Sequence, residues 1–189
     1  MADLQPHRTG RIWIDLVVAA AAVLISCASL YVALKASKTQ EKLLAASVWP
    51  YLQFETSDFP GAPIIFSLRN AGVGPARLRW ATLYYNGKAV ATAQSAFRLC
   101  CAAKRRLFAV TSSLQGRVLT ADQTIVFIGV PKRTADPHVW QRLDVERQAF
   151  YVRACYCSVL GDCWLFDARQ QEPRPLGDCP PAERPVYRG

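Results

Sequence analysis

Histidine is nearly missing from this sequence: there are two among 189 residues, and only His138 lies beyond the N-terminal segment. A histidine-built metal centre is therefore excluded. Any Ser–His–Asp arrangement would rest on one imidazole near Asp136, in a stretch that reads as a surface insertion with a helical turn. The chain also lacks a phosphate-binding P-loop, a G-x-S-x-G elbow, an H-E-x-x-H pair and the dinucleotide glycine fingerprint. Its carboxylates are scattered without the paired spacing that acid–base catalysis needs, and there is no internal repeat or low-complexity run. We expect no enzyme, no cofactor and no metal.

Charge is absent from one long stretch. From Leu16 to Leu34 the sequence reads LVVAAAAVLISCASLYVAL. As a helix this covers roughly 28 Å, close to the hydrocarbon thickness of a bilayer. Trp13 and Tyr31 suit the interfaces, and Arg11 and Lys35 bracket the span. The expected order is a short tail over 1–11, a single-pass transmembrane helix over 12–34 and a helical stalk over 35–48. The stalk ends at Trp49-Pro50, because proline disfavours helix in the residue before it. Leu24-Ile25-Ser26-Cys27 resembles a lipobox that would lipidate Cys27. However, Asp15 interrupts the apolar region and the residues after Cys27 stay apolar. An ordinary cleaved signal peptide is disfavoured by the length of the run and the lack of a small-x-small site.

Along one face of this helix run Asp15, Ala19, Ala22, Ser26, Ser29 and Ala33. Small residues at spacings of three and four let a second helix approach closely, so a homo-oligomer through the membrane helix is one expectation. Arg8 and Arg11 before the span and Lys35, Lys38 and Lys42 after it barely discriminate between the two orientations. The cysteines tip the choice toward a bacterial inner-membrane protein with its soluble domain in the periplasm.

From Tyr51 the pattern becomes short strand-like runs between turn signals. YLQFE alternates, PIIFSLRN is β-rich, and ARLRWATLYYNGK alternates into Asn86-Gly87, a strong hairpin signal. TIVFIGV reads as a buried strand, and FYVRACYCSV with CWLFDAR as a second hairpin. TAQSAFRLCCAAKRR fits either a short helix or a loop. The fold class is mainly β: an antiparallel sandwich over 49–169, followed by a proline-rich, irregular and poorly packed tail over 170–189.

The segment FSLRNAGVGPARLRWATLYYNGK (66–88) resembles the strand–turn–strand unit of bacterial Ig-like modules of the CARDB type. Residues 10–90 as a whole resemble a widespread group of bacterial proteins with one N-terminal helix, a stalk, S-x-W/R-P and then N-x-G-x-G-P-A. Those residues are Ser47, Trp49 and Pro50, then Asn70, Gly72, Gly74, Pro75 and Ala76. The resemblance implies an Ig-like architecture and no particular activity. Physically, Asn70 can bond the backbone of the turn while the glycines permit a sharp reversal.

Seven cysteines are present; setting Cys27 aside leaves Cys100, Cys101, Cys155, Cys157, Cys163 and Cys179. Cys155 and Cys157 are two apart, so in a strand they share a face. A hairpin loop over 158–162 sets Cys157 opposite Cys163, within bridging distance. That leaves Cys155 for Cys179 or for the Cys100-Cys101 pair. Zinc or copper held by Cys155, Cys157, Cys163 and Cys179 is the sharper alternative, but C-x-C is not the usual C-x2-4-C knuckle. The C-x-x-C of redox catalysts is absent.

The net charge of +9 suits acidic partners. Lys104, Arg105 and Arg106 cluster most densely, with Arg69, Arg77 and Arg79 on strands; Arg77 and Arg79 should share a solvent face able to meet anionic headgroups. No stacking-aromatic motif supports nucleic acid as a partner. The expected function is a non-catalytic, membrane-tethered binding or assembly module with an unknown protein partner. The alternatives are a thiol- or metal-handling envelope protein using Cys155, Cys157 and Cys163, and an oligomerising membrane effector acting through its helix.

Overall fold

A computed structural model describes residues 9–57, 62–103, 109–133, 136–182 and 184–189. The chain divides into two compact units, Met1–Ala46 and Ser47–Gly189. The first is carried by a single helix, α1 (Thr9–Ser47), 39 residues long. At 1.5 Å per residue it extends for roughly 58 Å, about twice a bilayer's hydrocarbon core. It is the one helix among the described residues long and apolar enough to cross a membrane, and its side chains from Ile12 to Leu44 face outward. The expected span and stalk are thus segments of one uninterrupted helix. Asp15, Ala19, Ala22, Ser26, Ser29 and Ala33 are all exposed on it. The Ser26 hydroxyl donates to the Ala22 carbonyl at 2.8 Å, so its proton is committed to its own helix.

The second unit is two antiparallel sheets with two helices. The strands are β1 (Leu52–Thr56), β2 (Ile64–Asn70), β3 (Ala76–Tyr85), β4 (Lys88–Val90), β5 (Val110–Thr111), β6 (Val118–Leu119), β7 (Thr124–Val130), β8 (Phe150–Cys157), β9 (Cys163–Asp167) and β10 (Arg174–Leu176). One sheet has the order β1-β2-β7-β5, the other β10-β9-β8-β3-β4, with β6 also on β3. Both sheets contribute to one core: Phe66 and Phe127 from the first, Leu83, Val152 and Ala154 from the second. Phe66 meets Phe150 edge-on, with ring centroids 5.1 Å apart.

The hairpin expected at Asn86-Gly87 forms, with Tyr85 opposite Lys88 and both loop residues at positive φ (46° and 79°). Within the ambiguous 92–106 stretch, Ala93–Cys101 is a helix, α2, and 104–106 lie outside the described residues. Thr92 and Ser95 close a reciprocal capping box at its start, and Ala102 ends it in the left-handed region. Helix α3 (Pro137–Glu146) begins at Asp136, whose carboxylate accepts from the backbone N–H groups of His138 and Val139. Asp136 therefore serves helix capping, and His138 is exposed.

The 170–189 segment departs from expectation. It adds β10 to the six-stranded sheet, contributes Cys179 to a disulfide and buries Tyr187 completely. Tyr187 donates its backbone N–H to Ala81 and its hydroxyl to the Phe127 carbonyl, touching a strand of each sheet. Proline-rich composition signalled an unpaired chain, but one aromatic ring between two sheets outweighs it.

The Asn70 turn reaches beyond its own residues. Asn70 is wholly buried; its Oδ1 accepts from the N–H of Tyr51 and of Gly72, each at 3.1 Å. Its Nδ2 donates to the carbonyls of Gly74 (2.8 Å), Leu119 (3.1 Å) and Thr120 (3.1 Å). Val73 and Gly74 both donate backbone N–H groups to Trp49, and Ala71 donates to Tyr51. The two halves of the resemblance motif, 47–50 and 70–76, are thus clasped together. A Cβ on Gly72 would stand 2.4 Å from Tyr51 N, and one on Gly74 would stand 1.9 Å from Val48 O.

Candidate thiol and metal centre

Strand β8 places its cysteines by period two. Ala154 and Tyr156 point into the core, so Cys155 and Cys157 point away from it. The β8–β9 register sets Cys157 against Cys163, as the sequence led us to expect, and Cys155 against Leu165. Cys157 and Cys163 form a disulfide across the strand pair, with Cα atoms 4.0 Å apart. Cys155 is bridged to Cys179, which lies three residues beyond β10. Of the two partners left open for Cys155, the structure takes Cys179. Cys100 and Cys101 are bridged to each other at the end of α2, a pairing the sequence reading did not consider.

One further contact ties the Cys179 segment to the sheet, and a second is local to that segment. The Trp80 indole N–H donates to the Pro180 carbonyl at 2.8 Å, and Trp80 is the register partner of Cys155. The Asp178 carboxylate accepts from the Cys179 N–H at 2.7 Å. This overlying segment explains why Cys155 is completely buried on a face that does not belong to the core.

The two bridges lie side by side. Cys157 Sγ is 3.7 Å from Cys179 Sγ, and the sulfurs of Cys157, Cys163 and Cys179 all fall within 4.8 Å of one another. Tetrahedral zinc with Zn–S bonds of about 2.3 Å separates its sulfurs by about 3.8 Å, which the Cys157–Cys179 spacing matches, whereas the Cys157–Cys163 side is a covalent bond that must open first. The domain therefore carries a three-cysteine cluster able to chelate a metal once its sulfurs are thiolates, since the thiolate is the ligand. Bridging and chelation are alternative states of the same atoms. Of the four expected ligands the triangle contains Cys157, Cys163 and Cys179, whereas Cys155, bonded to Cys179, lies outside it. The sequence signal for Cys179 was only its being a sixth cysteine. Its approach depends on β10, which a Pro-containing three-residue strand does not announce.

Arg77 is the register partner of Cys157 and is exposed, which puts a guanidinium on the same sheet face as the sulfurs. Arg79 is also exposed, but the register shifts between Leu78 and Trp80, so strict alternation from Arg77 breaks at Arg79. Lys104, Arg105 and Arg106 lie outside the described residues. Arg69 pairs with Asp122, so it is not a free cation of a basic patch. Beneath the sulfurs, Tyr156 stacks on Trp164 with centroids 5.7 Å apart, and burial pushes its phenol well above the usual value.

At the other end of this face, Asp167 is nearly buried between two arginines. Its carboxylate accepts from the Arg169 backbone and guanidinium and faces Arg153 Nε at 3.4 Å. Burial works to raise its pKa, but the Arg169 hydrogen bonds and the two positive charges outweigh it and hold the carboxyl below the usual range. The Arg169 guanidinium in turn covers the Tyr151 ring at 4.0 Å, and Tyr151 stacks on Tyr84.

Comparison with protein-family models, curated proteins and solved structures finds no match to this chain. A single-pass membrane helix followed by a β-rich, disulfide-bonded domain describes it.

Proposed function

We propose that this protein is a membrane-tethered thiol- and metal-handling protein of the bacterial envelope, with its Ig-like domain in the periplasm. The observation that carries the reading is the triangle of Cys157, Cys163 and Cys179 sulfurs within 4.8 Å. Three sulfur ligands without histidine or carboxylate suit a soft ion, copper(I) or zinc. The three bridges support the periplasmic placement, because disulfides persist in oxidising compartments. The oxidised form stores the site closed, and reduction opens it. The test is to reduce the full-length protein in detergent under anaerobic conditions, remove the reductant and titrate copper(I) or zinc against a competing chelator. One ion per chain, lost in Cys163→Ser, is expected; no stoichiometric uptake sinks the reading.

One observation favours the binding-module reading as a second choice. Trp49, Tyr51, Trp164, Glu172 and Pro173 line an open cleft of about 240 Å³. Aromatic clefts of this kind accept apolar or proline-containing segments. A photoreactive residue at position 164 should then give one discrete cross-linked product in intact cells. A smear or no product counts against a dedicated partner.

A further inference from the structure

We infer that Cys179 is the point of attack for a dithiol reductant, and that its released thiolate then exchanges onto Cys157, so that the two neighbouring bridges open in sequence. This rests on the thiol reading above. Of the four sulfurs, those of Cys155, Cys157 and Cys163 belong to buried residues, whereas Cys179 is half-buried between the exposed Asp178 and Pro180. Exchange requires a thiolate that can reach a bridge sulfur, and access decides which sulfur is struck.

The steps balance. A thiolate of the external dithiol attacks Cys179 Sγ; a mixed disulfide forms, the Cys155–Cys179 bond breaks, and the electron pair leaves on Cys155, which takes up a proton. The reductant's second thiolate attacks its own bonded sulfur, closes the reductant's disulfide and frees Cys179 as a thiolate. That sulfur already stands 3.7 Å from Cys157 Sγ. It attacks Cys157, the Cys157–Cys179 bond forms, the Cys157–Cys163 bond breaks, and Cys163 leaves with the electron pair and gains a proton. Two electrons and two protons have passed from the dithiol to the cluster, which now holds one bridge and thiols at Cys155 and Cys163. A second dithiol opens Cys157–Cys179 and yields the fully reduced cluster.

A dithiol is the fitting partner because it resolves the mixed disulfide within one encounter. Trp80 matters as a positioning residue, since its bond to Pro180 keeps Cys179 over Cys157 after the covalent tie to Cys155 is cut.

The test uses the full-length protein in detergent, without metal, poised with graded reduced and oxidised dithiothreitol. Samples are quenched in acid, alkylated with N-ethylmaleimide and mapped by mass spectrometry under non-reducing conditions. The two-electron species should carry the Cys157–Cys179 bridge with Cys155 and Cys163 alkylated. Among two-electron species in which Cys100–Cys101 is intact, one that keeps Cys157–Cys163, or keeps Cys155–Cys179, overturns the transfer. As a second variant, Cys155→Ala leaves Cys179 unpaired from the start and should show Cys157–Cys179 as a major bridge. If it shows Cys157–Cys163 alone, the transfer is again overturned. Metal uptake by the reduced protein without any Cys157–Cys179 species removes this inference alone; the converse result removes the metal site alone.

Discussion

The backbone N–H of Tyr51 is bonded to Oδ1 of Asn70 across nineteen residues of sequence. The same side chain serves Gly72, Gly74, Leu119 and Thr120, so one amide joins the entry to the domain, the first turn and the loop before β7. Asn70→Ala removes these bonds at once and leaves buried N–H and C=O groups unpaired. We expect a loss of about 3 kcal/mol or more, read as the shift in denaturant midpoint of the detergent-solubilised protein. Asn70→Asp should be worse, because it turns a carboxylate toward three carbonyl oxygens.

The glycines of this turn separate two physical causes. Gly74→Ala places a methyl group into the Val48 carbonyl, which is backbone and cannot swing aside, so we expect failure to accumulate folded protein. At Gly87, φ is +79° but nothing lies within 4 Å of an added Cβ. Gly87→Ala should therefore cost only about 1 kcal/mol, from backbone strain alone. Equal expression and thermal stability of the two variants would contradict the clasp between 48–51 and 70–74.

Asp167 should make stability depend on pH in a definite direction. Its carboxyl is held below the usual value in the folded state, so its contribution is fully present above the unfolded value of about 3.9 and fades as pH falls through the folded value. The wild type should lose stability progressively below about pH 4. Asp167→Asn should be less stable at neutral pH by about 2 kcal/mol and flatter with acidification. Parallel denaturation curves for the two proteins from pH 7 to pH 3 would rule this out.

Tyr187→Phe should cost about 1 kcal/mol, the value of one buried hydroxyl bond to the Phe127 carbonyl. Tyr187→Ala should cost about 3–5 kcal/mol, because it leaves a cavity beside the Phe127 ring, 5.4 Å away. Chemical denaturation distinguishes the two; equal effects would mean that the ring contributes no packing.

Orientation is read with a membrane-impermeant maleimide on intact cells, in a Cys27→Ser background so that only domain cysteines report. A periplasmic domain with closed bridges labels only after reduction. Labelling that requires lysis and no reductant would place free thiols in the cytoplasm.

What the sequence revealed follows the range of each interaction. The Cys157–Cys163 pairing and the Asn86-Gly87 hairpin depend on strand alternation and a loop of a few residues, so both were legible. The partner of Cys155 stayed open between Cys179 and the 100–101 pair, because β10 and the Trp80–Pro180 bond bring Cys179 back from outside the expected domain boundary. Asn70 was legible as a turn residue. Its bonds to Leu119 and Thr120 were not, since nothing local marks which carbonyls will arrive there. Tyr187 was concealed by its prolines: composition describes a segment's neighbours in sequence, and this ring is held by neighbours in space.

Cys179 and Tyr187 fasten one segment at two points, the first covalently to the sheet face and the second between the sheets. Under tension applied at the C-terminal side, these points would act as a slip and a stop. The ring would pull out first, and extension would then halt at the Cys155–Cys179 bond. With that bond reduced, the same load would run on and peel β10 from its neighbour. The redox state of one bridge thus sets how far the domain yields to a pull.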